Sequence, residues 1–331
     1  MPKQDILKNL GVGAIISASS FLDKKEEIIP LSPALDLALS GGIPTGTWVI
    51  MSGAPKCGKS LTSLQLAANA QKAGMKVFYS DVECRLKKMN LTGIAGLDLN
   101  NFDIIQSTKE KILSAEDHLN TLIDLIKSEP HSVFILDSSS ALCASKEMVE
   151  EITSATRALG PKLLASFCRQ MGGVIPVQDS IIIIIQHLIA NTSGYGVPWM
   201  EDGGQKIRYQ VDVKLRAKTV SKWEVKEEQI GQIVEWEIAT SALGKPGNKA
   251  KSYIRYGQGL DYISESIEIG CDLGLISKAG AWFKLEFIKE DKPEKEEKEL
   301  KFHGQENLYQ YLADNIIHQK LLIQKIKELG I

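Results

Sequence analysis

The sequence predicts an α/β fold with a mostly parallel central sheet, a short N-terminal arm and a small α/β C-terminal domain. Wholly apolar runs at residues 48–51, 133–136 and 181–185 fit strands that are buried on both faces, as parallel strands are. Segments with helical composition or periodicity, such as residues 60–73 and 112–127, alternate with these runs. This alternation of strand and helix is typical of a parallel sheet covered by helices.

The composition excludes several classes of protein. Of the 331 residues, 44% are hydrophobic and 24% are charged, as in ordinary globular proteins. Because the net charge is −2, any surface for nucleic acid must be local. The five cysteines form no C-x-x-C pair, which favours a reducing, cytoplasmic compartment. The N-terminus shows no signal-sequence pattern and no apolar run is long enough to cross a bilayer, so we expect no membrane association.

Three regions follow one another along the chain. Residues 1–30 are too few to bury a core of their own, so we expect an arm that packs on the core or on a neighbouring subunit. Ser32 then fits a helix N-cap, with Pro33 at the first helical position. Residues 31–264 carry most of the predicted strands and form the expected core. Residues 265–331 form the expected small domain.

Residues 53–60 read Gly-Ala-Pro-Lys-Cys-Gly-Lys-Ser and match the phosphate loop G-x-x-x-x-G-K-[ST]. Such a loop wraps backbone N–H groups around nucleotide phosphates, and the helix after it points its N-terminus at the anion. We expect Lys59 to reach the β- and γ-phosphates and Ser60 to ligate Mg²⁺. The alternative is a glycine-rich turn with a solvated lysine. The predicted nucleotide-binding residues are Gly53, Ala54, Pro55, Lys56, Cys57, Gly58, Lys59, Ser60 and Leu61.

Polar side chains follow three other predicted strands. Glu83 comes after the strand at residues 76–80 and is the candidate residue that polarises the water that attacks the γ-phosphate. A solvated acid in a loop would show the same sequence pattern. Asp137 ends an apolar run and fits the carboxylate that holds Mg²⁺. Gln186 ends another and can hydrogen-bond the γ-phosphate or the water. Because the carboxyl ends of parallel strands meet at one edge, we expect catalysis there by Glu83, Gln186 and Lys59.

Two regions are candidates for nucleic-acid contact. Residues 148–171 form a helical, mildly basic region that carries Arg157, Lys162 and Arg169, although a solvated helix face would look the same. Residues 191–205 are glycine-rich and show no period, and long loops of this kind are often functional. Aromatic side chains there can stack on bases, and basic residues can meet phosphates, unless the segment is only a surface loop. The candidates in and after this loop are Asn191, Tyr195, Gly196, Val197, Trp199, Gly203, Gly204, Gln205, Lys206 and Arg208.

Six motifs along the chain together resemble those of the bacterial RecA recombinases. They are the segment before the phosphate loop, a strand that ends in a glutamate, a Leu-Asp-Ser triplet, a glutamine after a buried strand, a Gly-Gly-polar loop end and a Ser-Lys-Ala-Gly-Ala-Trp-Phe segment. These motifs occupy residues 32–46, 79–83, 136–138, 186, 203–205 and 277–283. The likeness covers nearly the whole chain, and other ATPases with this core share only the first motifs. The brevity of the chain favours the bacteriophage UvsX type.

The resemblance implies a function that the residues alone do not. Proteins of this family form helical filaments on single-stranded DNA, hold ATP and Mg²⁺ between subunits, and pair the bound strand with homologous duplex DNA. This chain would then be a DNA-dependent ATPase of the bacterial cytoplasm, including that of phage-infected cells. A single-strand-binding protein and a loader would assist it. Lys162 and Arg169 fall near the family's first DNA loop, and residues 191–205 fall on the second.

One stretch departs from the family pattern. Members often place two basic residues across the subunit interface against the neighbour's ATP, and residues 240–247 lack that pair. Lys245, at a shifted position, is the remaining candidate for this contact. An ATP-binding paralogue that binds DNA or assists a partner without strand exchange therefore stays open as an alternative. A hexameric helicase is a third interpretation, which the Ala-Gly-Ala-Trp-Phe segment disfavours.

Overall fold

The structure is a computed structural model that describes residues 13–23, 25–151, 159–190, 199–201, 206–225, 227–288 and 300–330. The first elements are α1 (Ala18–Leu22), β1 (Ile28–Ile29), α2 (Pro33–Leu39), β2 (Ile43–Pro44), β3 (Trp48–Gly53), α3 (Lys59–Lys72), β4 (Lys76–Asp81), α4 (Lys88–Thr92) and β5 (Phe102–Ile105). The next are α5 (Ala115–Ser128), β6 (Ser132–Asp137), α6 (Ser145–Val149), α7 (Gly160–Met171), α8 (Val174–Val177), β7 (Ile181–Ala190), β8 (Trp199–Glu201), α9 (Lys206–Gln210), β9 (Val213–Val225) and β10 (Glu228–Thr240). The last are β11 (Lys249–Arg255), β12 (Gly259–Leu260), α10 (Tyr262–Asp272), β13 (Ile276–Ala279), β14 (Trp282–Leu285), β15 (Lys301–His303), α11 (Gln305–Asp314) and α12 (Ile316–Gly330).

A ten-stranded sheet forms the centre of the fold, in the order β12–β11–β10–β9–β3–β7–β6–β4–β5, with β8 paired to β7. The six strands from β9 to β5 in this order run parallel. β10, β11 and β12 add an antiparallel extension. The predicted fold class is therefore confirmed. The carboxyl ends of β3, β4, β6 and β7 lie at the same edge of the sheet, which we call the nucleotide edge.

Helices cover both faces of the central strands, which explains why the strand sequences are apolar throughout. On β7, Ile181, Ile183 and Ile185 belong to one buried cluster. Ile182 and Ile184 belong to the cluster on the opposite face. Alternate side chains of a strand point to opposite faces, so only a strand buried on both faces needs an unbroken apolar run.

Local signals set the N-terminal ends of α2 and α5. Ser32 caps α2 by accepting a hydrogen bond from the Leu35 backbone N–H, and Pro33 is the first helical residue. The predicted helix at residues 112–127 begins at Ala115 instead, because Ser114 and Asp117 form a reciprocal capping box just before it. Of the predicted helical region at residues 148–171, the structure describes the end of α6 and the whole of α7, and residues 152–158 lie outside the described residues.

The prediction that residues 191–205 form a loop is wrong for Trp199–Glu201, which form β8. β7 runs four residues past Gln186 to Ala190, and β8 pairs with it in antiparallel register. Such a short edge strand has too few residues to show a period, so the sequence pattern did not reveal it. Residues 191–198 and 202–205 lie outside the described residues.

The C-terminal part has its own buried cluster, formed by α10, α11, α12 and the antiparallel sheet β13–β14–β15. α10 and α12 also pack against α2 of the core. Lys327 of α12 lies 3.5 Å from Asp36 of α2. Among the described residues, no helix is both long enough and apolar enough to span a membrane.

Candidate nucleotide-binding site

The phosphate loop connects β3 to α3 at the nucleotide edge. β3 ends at Gly53 and α3 begins at Lys59, as the motif predicts. Gly58 has φ +89°, and a Cβ there would meet Ile254 Cδ1 at 2.3 Å. The backbone conformation therefore favours glycine at this position, and a larger residue would also require the Ile254 side chain to move. Of the other predicted loop residues, Ala54, Pro55 and Lys56 are exposed at the rim, Cys57 is buried, and Leu61 is partly buried in α3.

Lys59 points back into the loop. Its ammonium group donates to the Gly53 carbonyl at 3.0 Å and to the Ala54 carbonyl at 2.8 Å. The side chain is buried, so the charge lies inside the ring of loop backbone rather than in solvent. A cation at this position, together with the N-terminus of α3, suits the charge of nucleotide phosphates.

Ser60 and Asp137 meet beside the loop. Ser60 Oγ donates to Asp137 Oδ2 at 2.6 Å. Tyr79 also donates its hydroxyl to this oxygen. Burial raises the pKa of Asp137, and the hydrogen bonds from Ser60 and Tyr79 oppose that change. A hydroxyl and a carboxylate are hard oxygen ligands that fit Mg²⁺, so the predicted metal pair has suitable chemistry.

Glu83 lies just after β4 at the same edge. Its Oε1 accepts a hydrogen bond from Ser138 Oγ at 2.7 Å. Arg85 lies 3.1 Å from its Oε2, and His187 Nε2 lies 3.4 Å from its Oε1. An open pocket borders Glu83 and His187, so the carboxylate is accessible from the nucleotide edge.

Gln186 is buried on β7, directly opposite Ser52 in the parallel register of β3 and β7. The next residue, His187, lies opposite Gly53. The register therefore puts the predicted sensing position beside the first residue of the phosphate loop. In the part of the chain that the structure describes, no cluster of three or more His, Cys, Asp or Glu side chains suits a metal ion.

Sequence reasoning missed four side chains at this edge. Tyr79, Ser138, Arg85 and His187 all contact a predicted carboxylate. Position in the chain was the available signal, since Ser138, Arg85 and His187 lie within two residues of a predicted site residue and Tyr79 lies four residues before Glu83. Only the folded chain shows that His187, 104 residues after Glu83 by their numbers, contacts it.

The predicted DNA-binding residues are only partly described. Lys162 and Arg169 are exposed on α7, and seven residues of spacing bring them to one face of this helix. Arg208 is exposed on α9, whereas Trp199 and Lys206 are described only as parts of β8 and α9. The remaining candidates lie outside the described residues: Arg157, Asn191, Tyr195, Gly196, Val197, Gly203, Gly204 and Gln205.

Lys245 is exposed in the connection between β10 and β11. Thr240, at the end of β10, pairs with Lys214, which pairs with Ile50 in the middle of β3. Since β10 runs antiparallel to β3, the connection extends away from the nucleotide edge. The sheet therefore brings Lys245 to the end opposite its own phosphate loop.

A family model and several known proteins match most of this chain. A family model described as the RecA N-terminal domain matches residues 2–261. The protein named Protein RecA from Nitratiruptor sp. is 28% identical over 290 residues, which cover 86% of this chain and 83% of that protein. Protein RecA from Acholeplasma laidlawii is 28% identical over 314 residues, or 94% and 90% of the two chains. Protein RecA from Caldanaerobacter subterraneus is 25% identical over 331 residues, or 99% and 92%.

Proposed function

Since the chain belongs to the RecA family, we propose that it is an ATP-dependent recombinase and a DNA-dependent ATPase. It forms helical filaments on single-stranded DNA and pairs the bound strand with homologous duplex DNA. The observation that carries this proposal is the contact between Ser60 and Asp137 beside an intact phosphate loop. Glu83 and Gln186, at the same edge of the sheet, complete the set of side chains that ATP hydrolysis needs.

We assign the steps of hydrolysis to individual side chains. Residues Gly53 to Leu61 bind the ATP phosphates, with Lys59 on the β- and γ-phosphates. Ser60 and Asp137 hold Mg²⁺, which neutralises phosphate charge when bound. Glu83 accepts the proton of the attacking water, and Gln186 responds to the γ-phosphate. Phosphoryl transfer needs positioning more than covalent catalysis, so a rigid sheet edge suits it.

We assign DNA binding to exposed side chains of α7 and to the residues that follow β7 in the chain. Lys162 and Arg169, which are exposed on one face of α7, contact phosphates. Arg208 and the candidates in residues 191–206 act with them, and Arg157 lies just before α7. Lys245, at the opposite end of the sheet from its own phosphate loop, contacts the ATP of a neighbouring subunit. This geometry supports a head-to-tail filament, because a heterologous interface repeats without closing.

We also propose the limits of three regions of the chain and the partners of the protein. Residues 1–30 form the oligomerisation arm, residues 31–264 the ATPase core and residues 265–331 the small domain. Within the family, we assign the chain to the bacteriophage UvsX type. Such a protein acts in the bacterial cytoplasm, including that of phage-infected cells, with a single-strand-binding protein and a loader. An accessory paralogue without strand exchange is less well supported, because the described edge carries Ser60, Glu83, Asp137 and Gln186.

The first experiment measures ATP hydrolysis with and without single-stranded DNA, together with D-loop formation on homologous duplex. The parent chain and Glu83→Ala are compared, and DNA binding with ATP is followed separately. We expect DNA to stimulate turnover in the parent, and Glu83→Ala to lose that turnover while still binding DNA. DNA binding and D-loop formation without any turnover in the parent would contradict the ATPase assignment. Turnover without D-loops would support the accessory alternative.

A further inference from the structure

The side chain of Tyr79 has no part in the function proposed above. Its hydroxyl donates to Asp137 Oδ2, the oxygen that also accepts the hydrogen bond from Ser60. Tyr79 lies on β4 and pairs with Ile135 of β6, which comes two residues before Asp137. Side chains two residues apart on a strand share a face of the sheet, so Tyr79 reaches Asp137 diagonally across two neighbouring strands.

Packing holds the Tyr79 ring in one place. The residue is 1% exposed and belongs to the buried cluster on the face of the sheet that α3 covers. Its ring stacks on Phe102 of β5, with the ring centroids 6.0 Å apart. Because close packing leaves the ring little room to move, the position of the hydroxyl does not depend on a bound nucleotide.

Packing alone does not explain the hydroxyl, because a phenylalanine ring would fill the same space. Burying a hydroxyl among apolar side chains is unfavourable unless it finds a hydrogen-bond partner, and here the partner is a carboxylate. A hydrogen bond to a charged acceptor is stronger than one between neutral groups. The hydroxyl of Tyr79 therefore serves Asp137 rather than the packing of the sheet.

We propose that Tyr79 is a positioning residue for the magnesium site, which fixes the Asp137 carboxylate through Oδ2 and so raises the affinity of the site for Mg²⁺. The inference rests on the proposed function, specifically on Ser60 and Asp137 as the residues that hold Mg²⁺. Both donors use Oδ2, so neither of them engages the other carboxylate oxygen. A carboxylate that is already oriented loses less conformational entropy on binding a metal ion than one that rotates freely. Tyr79 acts through Asp137 and is not itself a metal ligand.

The test compares nucleotide binding with and without Mg²⁺ in the parent and in Tyr79→Phe, which loses the hydroxyl and keeps the ring. Fluorescence anisotropy of a labelled, non-hydrolysable ATP analogue gives its Kd in EDTA and at saturating Mg²⁺, so turnover plays no part. In EDTA, we expect the two proteins to bind the analogue equally within about twofold, because the hydroxyl acts on Asp137 and not on the phosphates. At saturating Mg²⁺, Tyr79→Phe should bind the analogue about tenfold more weakly than the parent does.

Tyr262→Phe is the matched control, because it also removes a tyrosine hydroxyl that donates a hydrogen bond. The Tyr262 hydroxyl donates to the Leu31 carbonyl at 2.6 Å rather than to a predicted metal ligand. Tyr262→Phe should keep the parental ratio of the two Kd values, even where its Tm falls as much as that of Tyr79→Phe. The parental ratio in Tyr79→Phe, or the same reduced ratio in both variants, would overturn the inference.

A second measurement needs neither nucleotide nor metal. A double-mutant cycle compares the thermal unfolding of the parent, Tyr79→Phe, Asp137→Ala and the double variant. A direct contact predicts that the two changes in Tm do not add, and additive changes would overturn the inference. A parent that binds the analogue equally in EDTA and in Mg²⁺ would instead overturn the assignment of Ser60 and Asp137 to Mg²⁺. The cycle would then still decide whether Tyr79 holds Asp137.

Discussion

Ser60 Oγ lies 2.6 Å from Asp137 Oδ2, although 77 residues separate them along the chain. Asp137 ends β6, whereas Ser60 lies in α3, which follows β3, and β7 lies between β3 and β6 in the sheet. The α3 N-terminus brings Ser60 over the edge of β7 to reach Asp137. This contact joins the helix after the phosphate loop to Asp137, the second predicted metal ligand.

Asp137→Asn should abolish most Mg²⁺-dependent ATP hydrolysis. The amide cannot supply the carboxylate charge, so we expect kcat to fall by about 100-fold or more at saturating Mg²⁺. A Mg²⁺ titration of DNA-stimulated turnover measures the loss. Asp124→Asn, on the exposed face of α5, is the control and should keep parental turnover. Parental Mg²⁺ dependence in Asp137→Asn would remove Asp137 from the metal site.

Gly58→Ala should destabilise the fold more than Gly74→Ala does. Both glycines have nearly the same positive φ, +89° and +85°, so both variants incur similar backbone strain. Only at position 58 would the new Cβ meet another atom, Ile254 Cδ1 at 2.3 Å. We expect an additional loss of about 1–3 kcal/mol in the free energy of unfolding, measured in urea.

The source of that additional loss can be checked by a second substitution. Ile254→Val removes the Cδ1 atom that the new Cβ would meet. Combined with Gly58→Ala, it should recover part of the lost stability, although Ile254→Val alone leaves a small cavity. If Gly58→Ala and Gly74→Ala cost the same, packing against Ile254 does not constrain the phosphate loop.

Glu265→Gln should make the stability of the protein less dependent on pH. Glu265 is completely buried in α10, where desolvation raises its pKa to about 8, and its Oε2 accepts a hydrogen bond from the Ala34 backbone N–H at 3.0 Å. A raised folded-state pKa means that the stabilising contribution is complete below the ordinary value of 4.5 and is lost as pH rises through about 8. Between these values, Glu265 should lower the free energy of unfolding by about 1.4 kcal/mol per pH unit. The neutral glutamine lacks this slope and can still accept the Ala34 bond.

Urea unfolding between about pH 5 and pH 8 checks the effect of Glu265. The stability of Glu265→Gln relative to the parent should increase steadily across this range. Glu328→Gln is the control, because hydrogen bonds lower the pKa of the exposed Glu328 and so move its effect below this range. Asp36, whose pKa burial raises to about 6, contributes a slope of the same sign at the lower end in every variant. Parallel curves for the parent and Glu265→Gln would contradict the buried, protonated carboxyl.

Lys162→Ala and Arg169→Ala should each weaken ATP-dependent binding of single-stranded DNA. Each neutralised phosphate contact accounts for a slope of about 0.7 in log affinity against log salt, so both affinity and salt dependence should fall. Fluorescence anisotropy with a labelled oligonucleotide at several salt concentrations measures both quantities. Lys109→Ala, exposed in the loop after β5, is the control. A salt slope equal to the parent's would exclude these side chains from the DNA contact.

Motifs with local causes were readable from the sequence. The Ser32 cap, the phosphate loop and the apolar strand runs each depend on neighbours in the chain, and all lie where they were predicted. The antiparallel strand β8 was not predicted, because its pairing with β7 depends on a partner and not on its own three residues. The start of α5 moved to Ala115 because capping hydrogen bonds, rather than periodicity, fix a helix end.

The sequence by itself determined which chemistry the protein can perform, since residue types at fixed spacing define the phosphate loop, Asp137, Glu83 and Gln186. Tertiary structure alone decided which side chains act together. Strand order put Gln186 beside β3, joined Ser60 to Asp137 and brought His187 to Glu83. The physical reason is that hydrogen bonds and ion pairs act over a few ångströms in space, whatever the separation in sequence. A sequence pattern predicts the strand or helix in which it occurs. Only the packing of the elements decides which strand ends become neighbours.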